Sequence, residues 1–533
     1  MVAPAPVATY LESHDPATGD IIARFEMTPL ASVAGIIARA RTAQAVWGGL
    51  SIADRCAFLG RLRQVLYDRR HEMAEVVTRE VGKPRVESLL ADVLVAIDTA
   101  AYYSDAGRAE KMLRPERLTH HNLAVKAKSG AMHFEPHGVM GVIAPWNFPI
   151  GIPLTQMVTA LLAGNTVVLK PSEWAPWCGA LVGEVFAQAA FPSDVVQVIQ
   201  GRGDLGAALV EPPGALWRGQ RVDKLLFTGS PATGRKVAEA CARNLIPTVL
   251  ELGGKDAMIV LSDADLEIAS SAAVWGAFTN CGQACLSVER LYVEEKIAAR
   301  FTELCVAKTK KLLVGNGLDP DVEVGPMINE QQLARVELQL ADAVAQGARV
   351  LVGGKRARAK GTNFFEPTVV TDVNDLMRLM REETFGPVLA IAPVRNAAEA
   401  VRRANDSPFG LGASVWTGDD ARGRELAGQL RAGAVMINDV ISAYGICEAP
   451  HGGRGESGWG RTHARLGLLE MVQVKYVAVD RLPRRPKSWW FGYSAEVLAA
   501  SDRFIEFLLA PGLKQRLGKA RGALGAVFRK GRI

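Results

Sequence analysis

The chain lacks the features of a membrane-spanning, disulfide-stapled or metal-clamped protein. No uninterrupted apolar run reaches the ~18 residues of a spanning helix. The start, Met1-Val2-Ala3-Pro4-Ala5-Pro6, has no basic region leading into an apolar core, so no secretory leader is expected. Cysteine is sparse: there are seven, at positions 56, 178, 241, 281, 285, 305 and 447. Their odd number and irregular spacing fit neither a disulfide framework nor a zinc site, so no metal is expected. Mostly buried thiols in a reducing cytoplasm are expected instead. Internal repeats are absent, and so are low-complexity segments before the C-terminal tail.

Charge is unevenly spread. The net charge is +6, yet residues 481–533 hold 12 Lys/Arg against 3 Asp/Glu, leaving the rest near −3. A nearly neutral body is not a nucleic-acid binder, so the basic balance concerns the tail alone. At 49% hydrophobic and 22% charged residues the composition is that of a globular protein. A chain of 533 residues exceeds one core, and two or three domains are expected.

The patterning predicts an α/β protein. After a short extended start, residues up to about 115 read as helical, with one long helix over 54–80 stopped by Gly82-Lys83-Pro84. Residues 124–143 alternate and predict long strands broken at Pro136-His137-Gly138. Apolar runs at 139–144, 166–170, 195–200, 224–228 and 248–251 then alternate with helical stretches at 153–163, 205–210 and 231–243. Such alternation implies a mostly parallel sheet. A second α/β stretch, 256–438, carries predicted helices at 266–278, 297–313 and 331–346.

Three segments carry chemistry. In Asn280-Cys281-Gly282-Gln283-Ala284-Cys285 a thiol is available, and a thiol attacks a carbonyl only as its thiolate. Glu251-Leu252-Gly253-Gly254 ends an apolar strand with a carboxylate whose semi-apolar setting raises its pKa and suits it to activating water. The two glycines are read as a tight turn behind it. Pro145-Trp146-Asn147-Phe148-Pro149 holds a neutral amide in a stiffened loop, as an oxyanion donor requires. Taken alone, each also has a plain reading: a packing thiol, a strand-end glutamate, a turn asparagine.

In this order the three segments resemble the aldehyde dehydrogenase superfamily, from about residue 15 to about 480. The resemblance implies that Cys285 is the nucleophile, Glu251 the general base and Asn147, with the Cys285 N–H, the oxyanion hole. Cys281 lies off the motif position and is expected in the active-site wall. Lys170 and Glu173, in Lys170-Pro171-Ser172-Glu173, would hold the adenosine ribose. An acidic group there accepts both ribose hydroxyls and repels a 2′-phosphate, which favours NAD, with NADP as the alternative. Phe227-Thr228-Gly229-Ser230 matches the phosphate-side turn, where Gly229 admits the backbone and Ser230 meets the pyrophosphate. Glu383 would hold the nicotinamide ribose, with Phe385 and Trp146 packed nearby. Gly201-Arg202-Gly203-Asp204-Leu205-Gly206 spells a dinucleotide fingerprint, but in this family the loop, with Gly203, lies near the adenine end.

The implied fold has a Rossmann-type cofactor domain (1–119 and 142–253), an α/β catalytic domain (254–450), bridging elements (120–141 and 451–483) and a tail (484–533). The bridging sheet, with residues 472–479, pairs relatives into homodimers or homotetramers. The implied reaction is NAD-dependent oxidation of an aldehyde to its acid through a Cys285 thiohemiacetal and thioester. The rival reading is a catalytically silent, membrane-associated scaffold of the same fold. Two departures stand out. Many relatives carry Glu after the Gly-Arg that here runs into Thr462-His463, so a proton relay through that position is in doubt. Gly151 and Thr155 are small where small-aldehyde enzymes carry bulky residues, which predicts a wide tunnel for a long or bulky aldehyde.

Within the tail, Trp489-Trp490-Phe491-Gly492-Tyr493 is followed by Ser494, a predicted cap for a helix with Val497, Leu498, Phe504, Ile505 and Leu508 on one face. A second basic segment sets Leu513, Leu517, Ala520 and Leu524 at helical spacing. Two readings stand: peripheral attachment to the cytoplasmic membrane face, or packing on a partner subunit.

Overall fold

The structure, a computed structural model, describes residues 9–122, 125–214, 218–357, 360–484, 487, 489–512, 514 and 516–518. Two compact units result: residues 1–112 with 136–472, and residues 113–135 with 473–533.

The first unit is built on two mostly parallel sheets, each with one antiparallel edge strand, and the parallel strands read as continuous apolar runs because both faces are covered. The six-stranded sheet runs Gly458–Trp459, Thr248–Glu251, Lys224–Thr228, Val139–Ile143, Thr166–Lys170, Val196–Val198. Only Gly458–Trp459 is antiparallel to its neighbour. Strand order reverses at Val139–Ile143, so the loops leaving it and Lys224–Thr228 part at their carboxyl ends and open a crevice. The seven-stranded sheet runs Arg349–Val352, Thr368–Thr371, Val388–Val394, Val288–Glu294, Asp256–Val260, Gly412–Trp416, Ala434–Ile437. Its core packs Met258, Ile259, Leu291, Leu389 and Ile391, all fully buried.

The predicted helices at 231–243 and 266–278 are observed as Pro231–Arg243 and Leu266–Phe278. Each start carries a legible signal: Ser230 accepts from Thr233 N–H, and Asp265 from Glu267 and Ile268 N–H. The single helix expected over 54–80 is two, Ile52–Asp68 and Arg70–Val81. They break at Arg69 (φ −91°, ψ 6°), whose guanidinium pairs with Glu72 at 2.7 Å and Glu184 at 2.9 Å. The second ends at Gly82 (φ 90°), where a Cβ would meet Pro326 at 2.6 Å.

The expected domain edges shift. Val139–Ile143 pairs on both sides within the six-stranded sheet, so residues 139–141 run there rather than with the bridging hairpin. Gly458–Trp459 likewise adds to Thr248–Glu251, leaving only the later part of 451–483 to the small sheet. That sheet, in the second unit, orders Val472–Asp480, Lys128–Pro136 and Glu116–Leu118. The tail helix is Ala495–Leu509, with the Ser494 hydroxyl accepting from Val497 N–H and no residue buried. The second basic segment lies largely outside the described residues. No described helix is long and apolar enough to cross a membrane.

One buried ion pair ties the helical segment to the crevice. A turn of π-helix, Ser88–Val93, carries Asp92, which meets Lys83 Nζ at 2.6 Å with both side chains fully buried. The other Asp92 oxygen accepts from Gly151 N–H at 2.8 Å and caps the helix Gly151–Leu162. Lys83 Nζ also donates to the Asn147 carbonyl at 2.6 Å. Removing one charge of such a pair strands the other. Asp92→Asn is therefore expected to cost about 3–5 kcal/mol in urea unfolding; a loss below ~1 kcal/mol would contradict this role.

Candidate active site

The crevice holds a cleft lined from both sheets. Trp146, Asn147, Gly229, Ser230, Glu251, Cys285, Glu383 and Phe385 all line it. Four other sequence candidates do not. Phe227 is buried against Leu250 and Leu252, and Gly203 starts the short helix Gly203–Ala208. Lys170 pairs with Glu173 at 3.0 Å at the end of the neighbouring strand.

Cys285 is held by a strained loop. Asn280 (φ 49°), Cys281 (φ 56°) and Gly282 (φ 71°) are successive left-handed residues, a conformation that persists only when neighbours enforce it. Enforcement comes from the Glu87 carboxylate, which accepts from Asn280 N–H at 2.8 Å and the Thr279 hydroxyl at 2.9 Å. At Gly282 a Cβ would meet the Gly386 carbonyl at 2.2 Å, so only glycine fits. Cys285 is the one cysteine of the seven that is not buried. Its surroundings push the thiol well up, first by desolvation of the half-buried sulfur, then through the carboxyls of Asp256, Glu383 and Glu251. Cys281, expected in the active-site wall, instead packs in the core of the seven-stranded sheet.

Asn147 is fixed from both ends. Its carbonyl accepts from Lys83 and, at 3.1 Å, from Asn280 Nδ2. Its own Nδ2 donates to the Gln283 carbonyl at 3.0 Å, leaving the second amide hydrogen for a ligand. Gln283 is locked in turn, donating to Asn280 O at 3.0 Å and accepting from Ile328 N–H at 2.9 Å.

Glu251 ends its strand 5% exposed, and neither carboxylate oxygen has a hydrogen-bond partner. Burial therefore raises its pKa well above the carboxylate range. His451 Nε2 lies 3.6 Å from Oε2. The following glycines serve close approach rather than the expected turn. A Cβ on Gly253 would meet the Glu383 carboxylate at 2.4 Å, and one on Gly254 the Cys285 carbonyl at 2.6 Å. Glu383 accepts from Gly254 N–H at 3.0 Å, and burial with the nearby Glu289 raises its pKa to about 7.

The segment carrying Glu383 and Phe385 is pinned by Glu289. Its carboxylate accepts from Thr384 N–H at 2.8 Å, Phe385 N–H at 3.0 Å and Lys255 Nζ at 2.5 Å. Phe385 then meets Trp146 edge-on at 5.5 Å.

Sequence reasoning missed Ile152, Gln332, Arg335, Leu411, Tyr444 and His451, all in the lining. Gln332 and Arg335 sit on Glu330–Ala345, which reads as an ordinary amphipathic helix, and donate to the carbonyls of Phe385 (3.0 Å) and Glu383 (2.6 Å). The wide-tunnel reading of Gly151 and Thr155 is corrected. Gly151 is small because a Cβ there would meet the Asp92 carbonyl at 3.2 Å. Thr155 is fully buried and donates to Gly151 O at 2.9 Å, while Ile152 lines the cleft.

Iodoacetamide is expected to label Cys285 at least about tenfold faster than the other six cysteines, since only the accessible thiolate reacts. The rate should rise with pH through the alkaline range, because the thiol is raised. Peptide mass mapping over time checks this, and uniform slow labelling would refute it.

Residues 2–477 match the model of the Aldehyde dehydrogenase family. A 4,4'-diapolycopene aldehyde oxidase of Methylomonas sp. is 38% identical over 94% of this chain and 91% of its own. That coverage exceeds what residues up to 477 supply, so the likeness runs into the C-terminal tail. A Mycolicibacterium smegmatis protein provisionally named succinate-semialdehyde dehydrogenase [NADP(+)] is 39% identical over 84% of this chain and 85% of its own. The NAD+ complex of an aldehyde dehydrogenase from Bacillus cereus superposes with TM-score 0.83 at 34% identity, covering 88% of this chain and 93% of that one. With a catalytic-type cleft on this fold and these likenesses, the chain belongs to the aldehyde dehydrogenase family.

Proposed function

We propose that this enzyme oxidises an apolar, long or bulky aldehyde to its carboxylic acid, with NAD as the preferred acceptor. The observation that carries the reading is the meeting of Cys285, Asn147 and an unpartnered, buried Glu251 in one cleft. The Cys285 thiolate adds to the carbonyl carbon. The oxyanion that forms is held by the free Asn147 amide hydrogen and the Cys285 N–H, donors already fixed before reaction. When bound, the dinucleotide supplies the hydride acceptor. The resulting Cys285 thioester is attacked by water, Glu251 takes the proton, the C–S bond breaks, and the acid leaves with the thiolate restored.

The donor set fits such a dinucleotide. Gly229 has its Cβ position occupied by the Phe227 ring at 2.7 Å, so the turn stays bare. Ser230 caps the 13-residue helix Pro231–Arg243, whose first N–H groups suit a pyrophosphate. Lys170 with Glu173 suits the adenosine ribose, Gly203 at the start of its short helix suits the adenine end, and Glu383 suits the nicotinamide ribose, flanked by Phe385 and Trp146. The Glu173 carboxylate supports NAD over NADP, because a 2′-phosphate meets like charge there. The Mycolicibacterium relative's name keeps NADP as the second acceptor to assay.

For the substrate, Ile152, Leu411 and Tyr444 give the cleft an apolar wall. Arg335, its one lining arginine, is turned to the Glu383 carbonyl, which disfavours a semialdehyde carboxylate. The Methylomonas relative's name, a long polyene aldehyde, agrees with an apolar substrate.

The second unit attaches the enzyme to an anionic membrane surface, peripherally. It carries 17 Lys/Arg against 6 Asp/Glu. Trp489, Trp490, Phe491 and Tyr493 are exposed beside this charge, the pairing an interfacial site requires. Strand Val472–Asp480 is an edge with Val474, Tyr476, Val477 and Val479 exposed, which suits pairing with a second copy in a homodimer or homotetramer.

NADH formation across straight-chain aldehydes of two to sixteen carbons, with and without anionic liposomes, tests the reading. Rising kcat/KM with length and with lipid is expected. A peak at short chains indifferent to lipid would overturn the long-chain and membrane parts and assign the tail to a partner subunit. The rate should climb as pH rises from 6 to 9, because Cys285 and Glu251 both act deprotonated and both are raised.

A further inference from the structure

One corner of the cleft holds polar atoms that no described residue satisfies. Both Glu251 oxygens and Nδ1 of His451 are buried without a hydrogen-bond partner. Buried polar groups are normally paired, so an unpaired set calls for a reason. His451 is 3% exposed, and its Nε2 faces Glu251 Oε2 at 3.6 Å. That is longer than a hydrogen bond, and such catalytic contacts tighten when substrate assembles the site.

The His451 ring is aimed, not loose. Its backbone forms a two-bond bridge with Thr462, N–H to O at 2.9 Å and the reverse at 2.8 Å. Tyr444 packs edge-on against it at 5.0 Å, and His463 lies beyond at 6.2 Å. The Thr462 hydroxyl is tied to His463 Nδ1 at 3.0 Å. Neither Glu251 oxygen takes a hydrogen bond from any described residue. His451 fills the place of its partner.

We propose that His451 is the positioning residue of the hydrolytic step. As a neutral imidazole it donates Nε2–H to the Glu251 carboxylate, holding it ionised and aimed at the attacking water. The inference rests on the reading of Glu251 as general base. Proton balance is unchanged by it: water gives its proton to Glu251, the C–O bond forms, sulfur departs with its electron pair, and His451 keeps its own proton. Burial holds the His451 pKa down to about 3, so the ring stays neutral. The other groups facing the pair are Arg461, which favours ionised Glu251, Glu470, which opposes it, and the thiol of Cys285. Tyr444 and His463, the latter pulled down to about 4 by burial, are uncharged.

The test uses 4-nitrophenyl acetate and the full chain, without cofactor. Acylation of Cys285 releases a burst of 4-nitrophenolate, and the steady rate then reports hydrolysis of the acyl-enzyme. In His451→Phe the ring packing stays and the donor goes. The steady rate at pH 7 should fall about tenfold and its acid limb move up by about one pH unit, the worth of one hydrogen bond to a charged group. The burst should remain. His451→Gln, which returns a donor near Nε2, should recover the rate to within about threefold of the unaltered protein. His451→Asn, smaller and polar, reads the same limb if the Phe variant does not fold. An unmoved acid limb overturns the proposal, as does a burst slowed in step with the steady rate. Unchanged release of 4-nitrophenolate by Cys285→Ala is a different failure: it removes Cys285 as nucleophile and the proposed function with it.

Discussion

A carboxyl group kept in a dry crevice without a partner is the constraint on which this site turns. Taking a carboxylate out of water costs several kcal/mol unless it is paired or neutralised. Glu251 is neither hydrogen-bonded nor solvent-exposed. Its raised pKa is the direct result, and it is also what suits the group to accept a proton near neutral pH. The rest of the cleft must supply the stability that this residue withholds.

It does so through carboxylates that are fully engaged close by. Glu87 takes the N–H of a left-handed loop, Asp92 and Lys83 cap a helix and grip the Asn147 carbonyl, and Glu289 pins the segment bearing Glu383. None of these anchors is among the residues that line the cleft. They fix donors and backbone before a ligand arrives, which is the condition for electrostatic stabilisation without reorganisation. The segments converge because the carboxyl-end loops of the six-stranded sheet meet the loops that enter the strands Val288–Glu294 and Val388–Val394 of the other sheet, so residues 147, 251, 285 and 383 become neighbours.

What could be read in the chain beforehand was local chemistry. Cys285, Glu251 and Asn147 sit in short segments whose residue types suggest the roles proposed for them, and the structure brings all three into one cleft. What could not be read was made by contacts between distant segments. Gly253 looked like a turn glycine because the carboxylate it makes room for is Glu383, in the other sheet's loops. Gly151 looked like an open tunnel because Asp92, the group that needs its small size, is brought in by a π-helical turn that no periodicity marks. His451 gave no signal at all: its meaning depends on Glu251 lacking every other partner.

Family membership fixes the fold and the reaction class; the polarity of the cleft wall and the charge of the second unit give this chain its own direction. The central claim is covalent chemistry at Cys285 completed by Glu251. It is tested most directly by mixing Glu251→Gln with NAD and hexanal, quenching in acid, and mapping peptides by mass spectrometry. The account predicts a stoichiometric hexanoyl thioester on Cys285. No acyl group, or one on another cysteine, would contradict it.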